Sequence, residues 1–480
     1  MMLVVWLTAA LVIAVPGYAI ARAVDRRVYI SSVVAYGLAF WPIVFLWKWT
    51  AVAMCAIYVG QTHVGRASAH PVRLKPALPL LAILAIVVAT RIVHINGLAL
   101  PLWIDSVHHT MIVRDLLEHG TIPSSYHWGF HVVPALVAKL TSMTSPIEIA
   151  RVLLGYGQLL NALVFFAIYD AARLLLRSRR AGLLAAVLAT LVSYFPAYYV
   201  SWGRYPQLAG LLLLGPLAIA LFRGRVLSIA ILAAGLALIH VRIAILAATL
   251  AIAMPKRKIK SWLVALGIAA IAISPWLWTI AHHAHTSETP NTVFADLLWA
   301  PHNILLMIVA AGGAIVGWKR HRRAIAMLAI WTALSILTAN PNHSVMSNAA
   351  LLITMFIPLS FLGAMWHRPS CLWLTIAIAI IGAWTMRDIV NPNTVIARKA
   401  DVRAMQWIAT HTQRDAKFAI TVRPWLGNTF AGVDGGYWIE ALTDRRTILP
   451  RGFYSWTRDP FLERWSASEQ MTPALREELA

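Results

Sequence analysis

The chain has 480 residues, a formal net charge of +22, 60% hydrophobic residues and only 12% charged ones. A soluble globular protein carries about 25% charged residues, so the composition excludes an ordinary soluble enzyme. The surplus of Lys and Arg does not point to nucleic acid, because it is confined to short segments between apolar runs.

Those runs lie near 2–20, 31–59, 77–94, 152–176, 181–199, 207–222, 226–241, 243–254, 261–280, 302–318, 324–339, 348–366 and 371–387. A run of about 20 residues crosses the hydrocarbon core. Only helices or closed barrels satisfy their backbone there, and the alternation of a barrel strand is absent. The pattern predicts an α-helical polytopic membrane protein of about thirteen spans. The run at 243–254 is short for a full crossing, so His240 and Arg242 are expected below the outer surface, lining a cavity.

Basic clusters alternate with bare loops. They are Arg66, Arg73 and Lys75; Arg173, Arg177, Arg179 and Arg180; Arg223 and Arg225; Lys256, Arg257, Lys258 and Lys260; Lys319, Arg320, Arg322 and Arg323. Segments 281–301 and 339–347 have neither Lys nor Arg. By the positive-inside rule the basic loops face the cytoplasm, and the loop at 95–150 and everything after Thr385 face outward. An odd count with an inner N-terminus agrees. It leaves Arg22, Arg26 and Arg27 outside as a local exception. The chain thus reads as N-terminal transmembrane helices (1–76), a transmembrane core (77–387) with outer loop 95–150, and a small extracytoplasmic α/β unit (388–480). In that last unit, 397–412 has helical spacing, KFAITV (417–422) reads as a strand, and GVDGGYWIEALTDRRTILP (432–450) reads as turn, helix and strand.

The polar chemistry concentrates in PLWIDSVHHTMIVRDLLEHGTIPSSYHWGFH, residues 101–131, which holds Asp105, His108, His109, Arg114, Asp115, Glu118, His127 and His131. Spanning lipid does not require such a cluster. Asp105 fits two compatible roles: an N-cap for a helix at 106–119, or a general base or metal ligand at the membrane face. His108 and His109 follow at helical spacing and share a face with it. An Asp-x-x-His-His set can bind a divalent metal, and solvated or hydrogen-bonded histidines account for it as well. Arg114 lies about 2.5 turns on and points away from Asp105; packing and a phosphate contact both stay open. In SYFPAYYVSWGRYPQLAG (193–210), Arg204 offers a planar fork for phosphate oxygens, whereas the aromatics suit an interfacial belt. In HVR (240–242), ionisable groups near membrane depth are costly and face a cavity or partner, for which a lipid-linked phosphate qualifies. HHAH (282–285), Asp296 and His343 carry weaker signals. The two cysteines, Cys55 and Cys371, give neither a disulfide framework nor a metal spacing, and no nucleotide-binding loop is present.

The segments WIDSVHHTMIVRDLLEHGTIP with YHWGFH, SWGRYPQ, LIHVRI, and ADVRAMQWIATHTQRDAKF with GVDGGYW resemble the GT-C superfamily of integral membrane glycosyltransferases. The resemblance covers most of the chain from about Pro76. It implies transfer of a sugar from a polyprenyl-phosphate donor to a glycan, lipid or protein acceptor at the outer face of the cytoplasmic membrane, in cell-envelope assembly. By position it implies Asp105 as catalytic base or metal ligand, with His108 and His109 beside it, and Arg204, Arg242 and His240 at the donor phosphate. No Asp-x-Asp or Glu-x-Asp pair is present, which leaves a divalent metal open. The WWDYG-type motif of oligosaccharyltransferases is missing. A polymerase or ligase for polyprenyl-diphosphate glycans, a transporter or flippase, and a non-catalytic scaffold are the other readings. The first usually has a long late outer loop and no such C-terminal unit. The second usually shows paired half-sequence symmetry.

Overall fold

The computed structural model describes residues 1–25, 28–47, 78–123, 126–254, 258–283, 301–338, 353–366, 372–424, 430–449 and 465–466. Cys55, Cys371, Asp296, His343, the basic residues at 26–27, 66–75 and 256–257, and most of 450–480 lie outside that set.

Helices dominate. α1 (Met2–Val24) and α2 (Ile30–Leu46) pair closely. A Cβ on Gly17 would meet the Val33 carbonyl oxygen at 1.9 Å, and one on Gly37 the Ile13 carbonyl oxygen at 2.0 Å. Small residues let two membrane helices approach this closely. α3 (Leu78–Ile95) leads to α4 (Trp103–Glu118) and α5 (Gly129–Leu140), and α6 (Pro146–Leu175) follows. α6 is largely buried and forms the centre of the bundle, with α1, α2, α3, α4 and α5 around it. α7 (Arg179–Val187) runs into a π-turn at 188–192 and a short α8 (Tyr199–Trp202). α9 (Tyr205–Arg223), α10 (Val226–Ile239) and α11 (Val241–Ala253) complete the core, with a break at His240 between the last two. α12 (Ile259–Ala272) and α13 (Ser274–His283) are bent by 69°. α14 (Pro301–Leu337) kinks at His321, in the middle of its basic patch. α15 (Phe356–Gly363) and α16 (Leu372–Thr385) close the bundle.

Among the described residues, five helices are long and apolar enough to cross a membrane, or six if the bent pair counts as one span. Six further apolar helices have 10–17 residues. The expected figure of about thirteen spans included 31–59 and 348–366, parts of which lie outside the described set. The short helices arise where the chain breaks at polar or capping residues. His240 is one such break: its Nδ1 accepts the Ile243 N–H at 3.3 Å as the N-cap of α11.

The N-terminal orientation differs from the sequence expectation. Asp25 pairs with Arg225, and Arg223 Nη2 donates to the Tyr29 hydroxyl at 3.3 Å. Arg173 lies 4.9 Å over the Tyr29 ring and pairs with Asp170 at 3.1 Å, and Asp170 accepts the Ser31 N–H at 3.2 Å. The α1–α2 turn therefore sits at the bundle end that carries the basic segments 173–180 and 223–225. Arg22, in the last turn of α1, belongs to that end and is no exception to the charge pattern. The start of α1 lies at the opposite end, where Trp6 Nε1 donates to the Gly155 carbonyl at 2.8 Å. The physical cause is that Asp25 and Asp170 need cationic partners in a low-dielectric setting, and the basic segments supply them.

After α16 the chain forms α17 (Lys399–His411), two small strand pairs and α18 (Ile439–Thr443). β1 (Lys417–Phe418) pairs in parallel with β4 (Arg446–Thr447), and β2 (Val422–Pro424) pairs antiparallel with β3 (Phe430–Gly432). Val402 and Met405 of α17 are buried as their spacing predicted. They share one apolar cluster with Leu100, Ile104 and Val107. The C-terminal segment thus shares its core with α4.

Candidate functional site

The site forms where the first turns of α4, the 203–204 turn, the loop before α5 and the α10–α11 break converge at one end of the bundle. Leu102 is extended and caps α4 without a side-chain bond. Asp105 is therefore the third residue of the helix rather than its N-cap. Its carboxylate is half-exposed beside the helix N-terminus, where a negative charge is favoured. Trp103 adopts φ 67°, a strained conformation for a bulky residue, and carries the Arg423 guanidinium 5.4 Å over its ring.

His108 and His109 do not share a face with Asp105 as a ligand set. They diverge. His108 Nε2 meets the Tyr437 hydroxyl of the C-terminal segment at 2.7 Å. His109 turns into the bundle, where its Nδ1–H donates to His131 Nε2 at 3.0 Å and His131 Nδ1–H donates to the Trp128 carbonyl at 3.0 Å. Burial lowers His108 from 6.5 to about 3. Burial lowers His109 well below its ordinary value, and the neighbouring histidines add to this. Both rings are neutral at physiological pH. Among the described residues no group of three or more His, Cys, Asp or Glu side chains is placed to hold a metal ion, so the Asp-x-x-His-His set does not assemble into a metal centre.

The 203–204 turn presses directly on α4. Gly203 has φ +62°, and a Cβ there would meet Ser106 Oγ at 2.3 Å and the Leu102 carbonyl oxygen at 3.0 Å. Only glycine fits such a left-handed, close approach without strain. The turn delivers Arg204 as the N-terminal boundary residue of α9, half-exposed, with its guanidinium 5.1 Å over Trp202. The neighbouring aromatics were expected in an interfacial belt. Phe195, Tyr198 and Tyr199 are instead buried and pack edge to face beneath the turn. Asn391 ties the exit of α16 to the same place, through bonds to Ser201 Oγ at 3.0 Å and the Tyr198 hydroxyl at 2.9 Å.

Tyr126 is the pivot of the site. Burial raises its phenol above the ordinary value, the Asp105 carboxylate raises it further, and Arg242 and Arg204 oppose that. The carboxylate and both guanidinium groups therefore lie within electrostatic reach of one hydroxyl. Arg204 and Arg242 also both act on His240, whose ring stands 4.6 Å from that of His127. His127 in turn stacks on Tyr126 at 4.0 Å. Asp105, Arg204 and Arg242, from three segments, all act on Tyr126, and both arginines act on His240. Sequence reasoning did not single out Tyr126 or Tyr437.

Arg114 is buried and takes the packing role. Its Nη1 donates to the Ala441 carbonyl at 2.8 Å, and its Nη2 donates to Asp444 Oδ1 at 2.8 Å and to Glu118 Oε1 at 3.0 Å. His282 is exposed and bonds the Trp278 carbonyl of its own helix at 2.8 Å.

No family model matches the chain, and no curated protein does. Among solved structures, the chain is similar to the arabinofuranosyltransferase AftD from Mycobacteria, with a TM-score of 0.51 and 15% identity over 80% of this chain. The match covers 32% of AftD, so the chain spans about a third of that protein's length. The likeness concerns the fold alone.

Proposed function

We propose that this chain is a GT-C-type membrane glycosyltransferase, moving a sugar from a polyprenyl-phosphate donor to a hydroxyl-bearing glycan, lipid or protein acceptor. The observation that supports the reading is that one carboxylate, Asp105, and two guanidinium groups, Arg204 and Arg242, all act electrostatically on the buried Tyr126 phenol. The fold likeness to AftD agrees with it.

In this reading Arg204 and Arg242 hold the donor phosphate, as charge-assisted forks do. His240 accepts the Ile243 N–H on Nδ1, so its neutral ring carries the proton on Nε2 and can donate it to a phosphate oxygen. Asp105 takes the proton of the acceptor hydroxyl. The acceptor oxygen bonds the anomeric carbon, the bond from that carbon to the phosphate oxygen breaks, and polyprenyl phosphate leaves with the electron pair. In-line displacement inverts the anomeric centre. The leaving group needs no nucleotide, in keeping with the missing nucleotide loop. In this reading the reaction end faces outward, because the basic segments take the cytoplasmic side under the positive-inside rule.

The test is transfer by purified protein in lipid, with radiolabelled polyprenyl-phosphate sugars and a panel of acceptors. Arg204→Ala or Arg242→Ala should weaken donor use by one to two orders of magnitude, because a charge-assisted bond contributes about 1.5–3 kcal/mol. Lys should restore only part of it. Normal donor use by both Ala variants makes these residues structural.

A further inference from the structure

Arg91 lies fully buried in α3, inside one of the apolar helices long enough to cross a membrane. An ionisable side chain at such depth is costly and marks a partner or a function. Among the described residues, its hydrogen bonds all go to neutral acceptors. Nη2 donates to the Thr190 carbonyl at 2.7 Å, Nε to Asn161 Oδ1 at 2.8 Å and Nη1 to Thr90 Oγ1 at 3.3 Å. Thr190 belongs to the π-turn at 188–192, and Ser193 after it is extended, so the helix ends there. The last carbonyls of a helix lack partners along it and form its negative pole. Arg91 supplies that end with both a donor and a positive charge.

Asn161 of α6, also fully buried, carries the contact onward. Its Oδ1 accepts from Arg91, and its Nδ2 donates to the Pro196 carbonyl at 2.8 Å. A guanidinium can only donate, so Arg91 decides which way the amide points. The Pro196 carbonyl also accepts the Tyr199 N–H at 3.0 Å, a bond at the start of α8. α8 ends at Trp202, and the Arg204 guanidinium stands 5.1 Å over that ring. Asn391 holds the same short helix through Tyr198 and Ser201. A line of observed contacts therefore runs from Arg91 through Asn161, Pro196 and α8 to Arg204.

We propose that Arg91 and Asn161 are positioning residues for Arg204: they fix the Pro196 carbonyl, and with it α8, so that the Arg204 guanidinium is held in place for the donor phosphate. The proposal deepens the function given above and rests on that reading for its catalytic meaning. Asn161→Asp is the discriminating change. It keeps the size and still accepts from Arg91, but it sets an oxygen against the Pro196 carbonyl where a donor stood. Two buried oxygens without a proton between them separate. Arg91→Lys keeps a charge and a donor for the helix end and loses the planar fork that also reaches Asn161.

Two measurements test it separately. The first is amide hydrogen exchange on the purified full chain. Asn161→Asp should speed exchange across residues 197–205 and leave α3 and α6 as in wild type, and Arg91→Lys should do the same to a smaller extent. Unchanged exchange at 197–205 overturns the proposal whether or not sugar transfer is found. Faster exchange throughout α3 and α6 assigns Asn161 to bundle packing and overturns it as well. The second is the transfer assay. Asn161→Asp should raise donor KM roughly three- to ten-fold, the equivalent of one neutral hydrogen bond, with kcat little changed. Arg91→Lys should raise it less. Adding Asn161→Asp to Arg204→Ala should cost nothing further, because both changes then act through the same guanidinium. A wild-type donor KM in Asn161→Asp, or a fully additive loss in the double variant, overturns the proposal and leaves the glycosyltransferase reading standing. A wild type inert toward every donor defeats that reading, while the exchange pattern still decides the positioning role.

Discussion

Arg114, a buried residue of α4, donates to Asp444 Oδ1 at 2.8 Å across a sequence gap of 330 residues. The Asp444 side chain is 68% exposed, so this ion pair alone contributes little. The same guanidinium also satisfies the Ala441 carbonyl, and together these bonds clamp the C-terminal segment to the helix that bears Asp105.

Arg114→Ala should therefore loosen that segment rather than unfold the bundle. Limited proteolysis should cut between 412 and 450 well before the helices, whereas Asp444→Asn should behave almost as wild type. Equal protease resistance in Arg114→Ala and wild type assigns the docking to the apolar cluster alone.

Gly203→Ala should be among the most damaging single-methyl changes in the chain. It combines φ +62° with a Cβ 2.3 Å from Ser106 Oγ, and a side chain forced into left-handed backbone costs on the order of 1–2 kcal/mol before the clash is counted. Its measurable consequence is displacement of Arg204, read as weaker donor binding with little change in helix content by circular dichroism. Unaltered donor affinity would show that the turn relaxes without moving Arg204.

The turn after α1 should lie on the same side of the membrane as the Arg223–Arg225 segment. In a background without Cys55 and Cys371, Arg22→Cys and Gly224→Cys should label from one side with an impermeant maleimide. Gly120→Cys should label from the other. Labelling of position 22 together with 120 contradicts the pairing of Asp25 with Arg225.

Acid should destabilise the docked state through the buried histidines. The folded pKa of His108 lies near 3, below its ordinary 6.5, so the unfolded chain binds a proton that the folded chain does not. Stability is intact above about 6.5 and falls as the pH drops toward 3, by about 1.4 kcal/mol per pH unit for each such group. His109 is shifted in the same direction. Thermal midpoints between pH 7 and 5 should fall less steeply for His108→Gln than for wild type. Parallel slopes would mean that His108 is protonated in the folded protein.

The membrane class, the α17 helix and the outlying polar residues Asp105, Arg204, His240 and Arg242 were legible in the sequence, because each is a local departure from a strong background: a charge beside an apolar run, or a turn signal before a helix. What escaped depends on pairing across distance. Asp25 meets Arg225 over 200 residues, so the direction of α1 could not be read from nearby charges. Tyr437 and Tyr126 were hidden because aromatics near membrane surfaces usually serve as belt residues. The separation of His108 from His109 was missed because helical spacing gives a shared turn but not the partner each ring selects. One finds Tyr437, and the other His131.

Asp105 carries the central claim, and its position as the third residue of α4 sharpens the test: Asn keeps the shape and removes the base, with no cap to lose. The decisive measurement is sugar transfer from a polyprenyl-phosphate donor by purified Asp105→Asn beside wild type, with donor binding measured on the same samples. The account predicts transfer reduced by roughly 10²–10⁴-fold with donor binding preserved. Near-normal transfer by Asp105→Asn would contradict it.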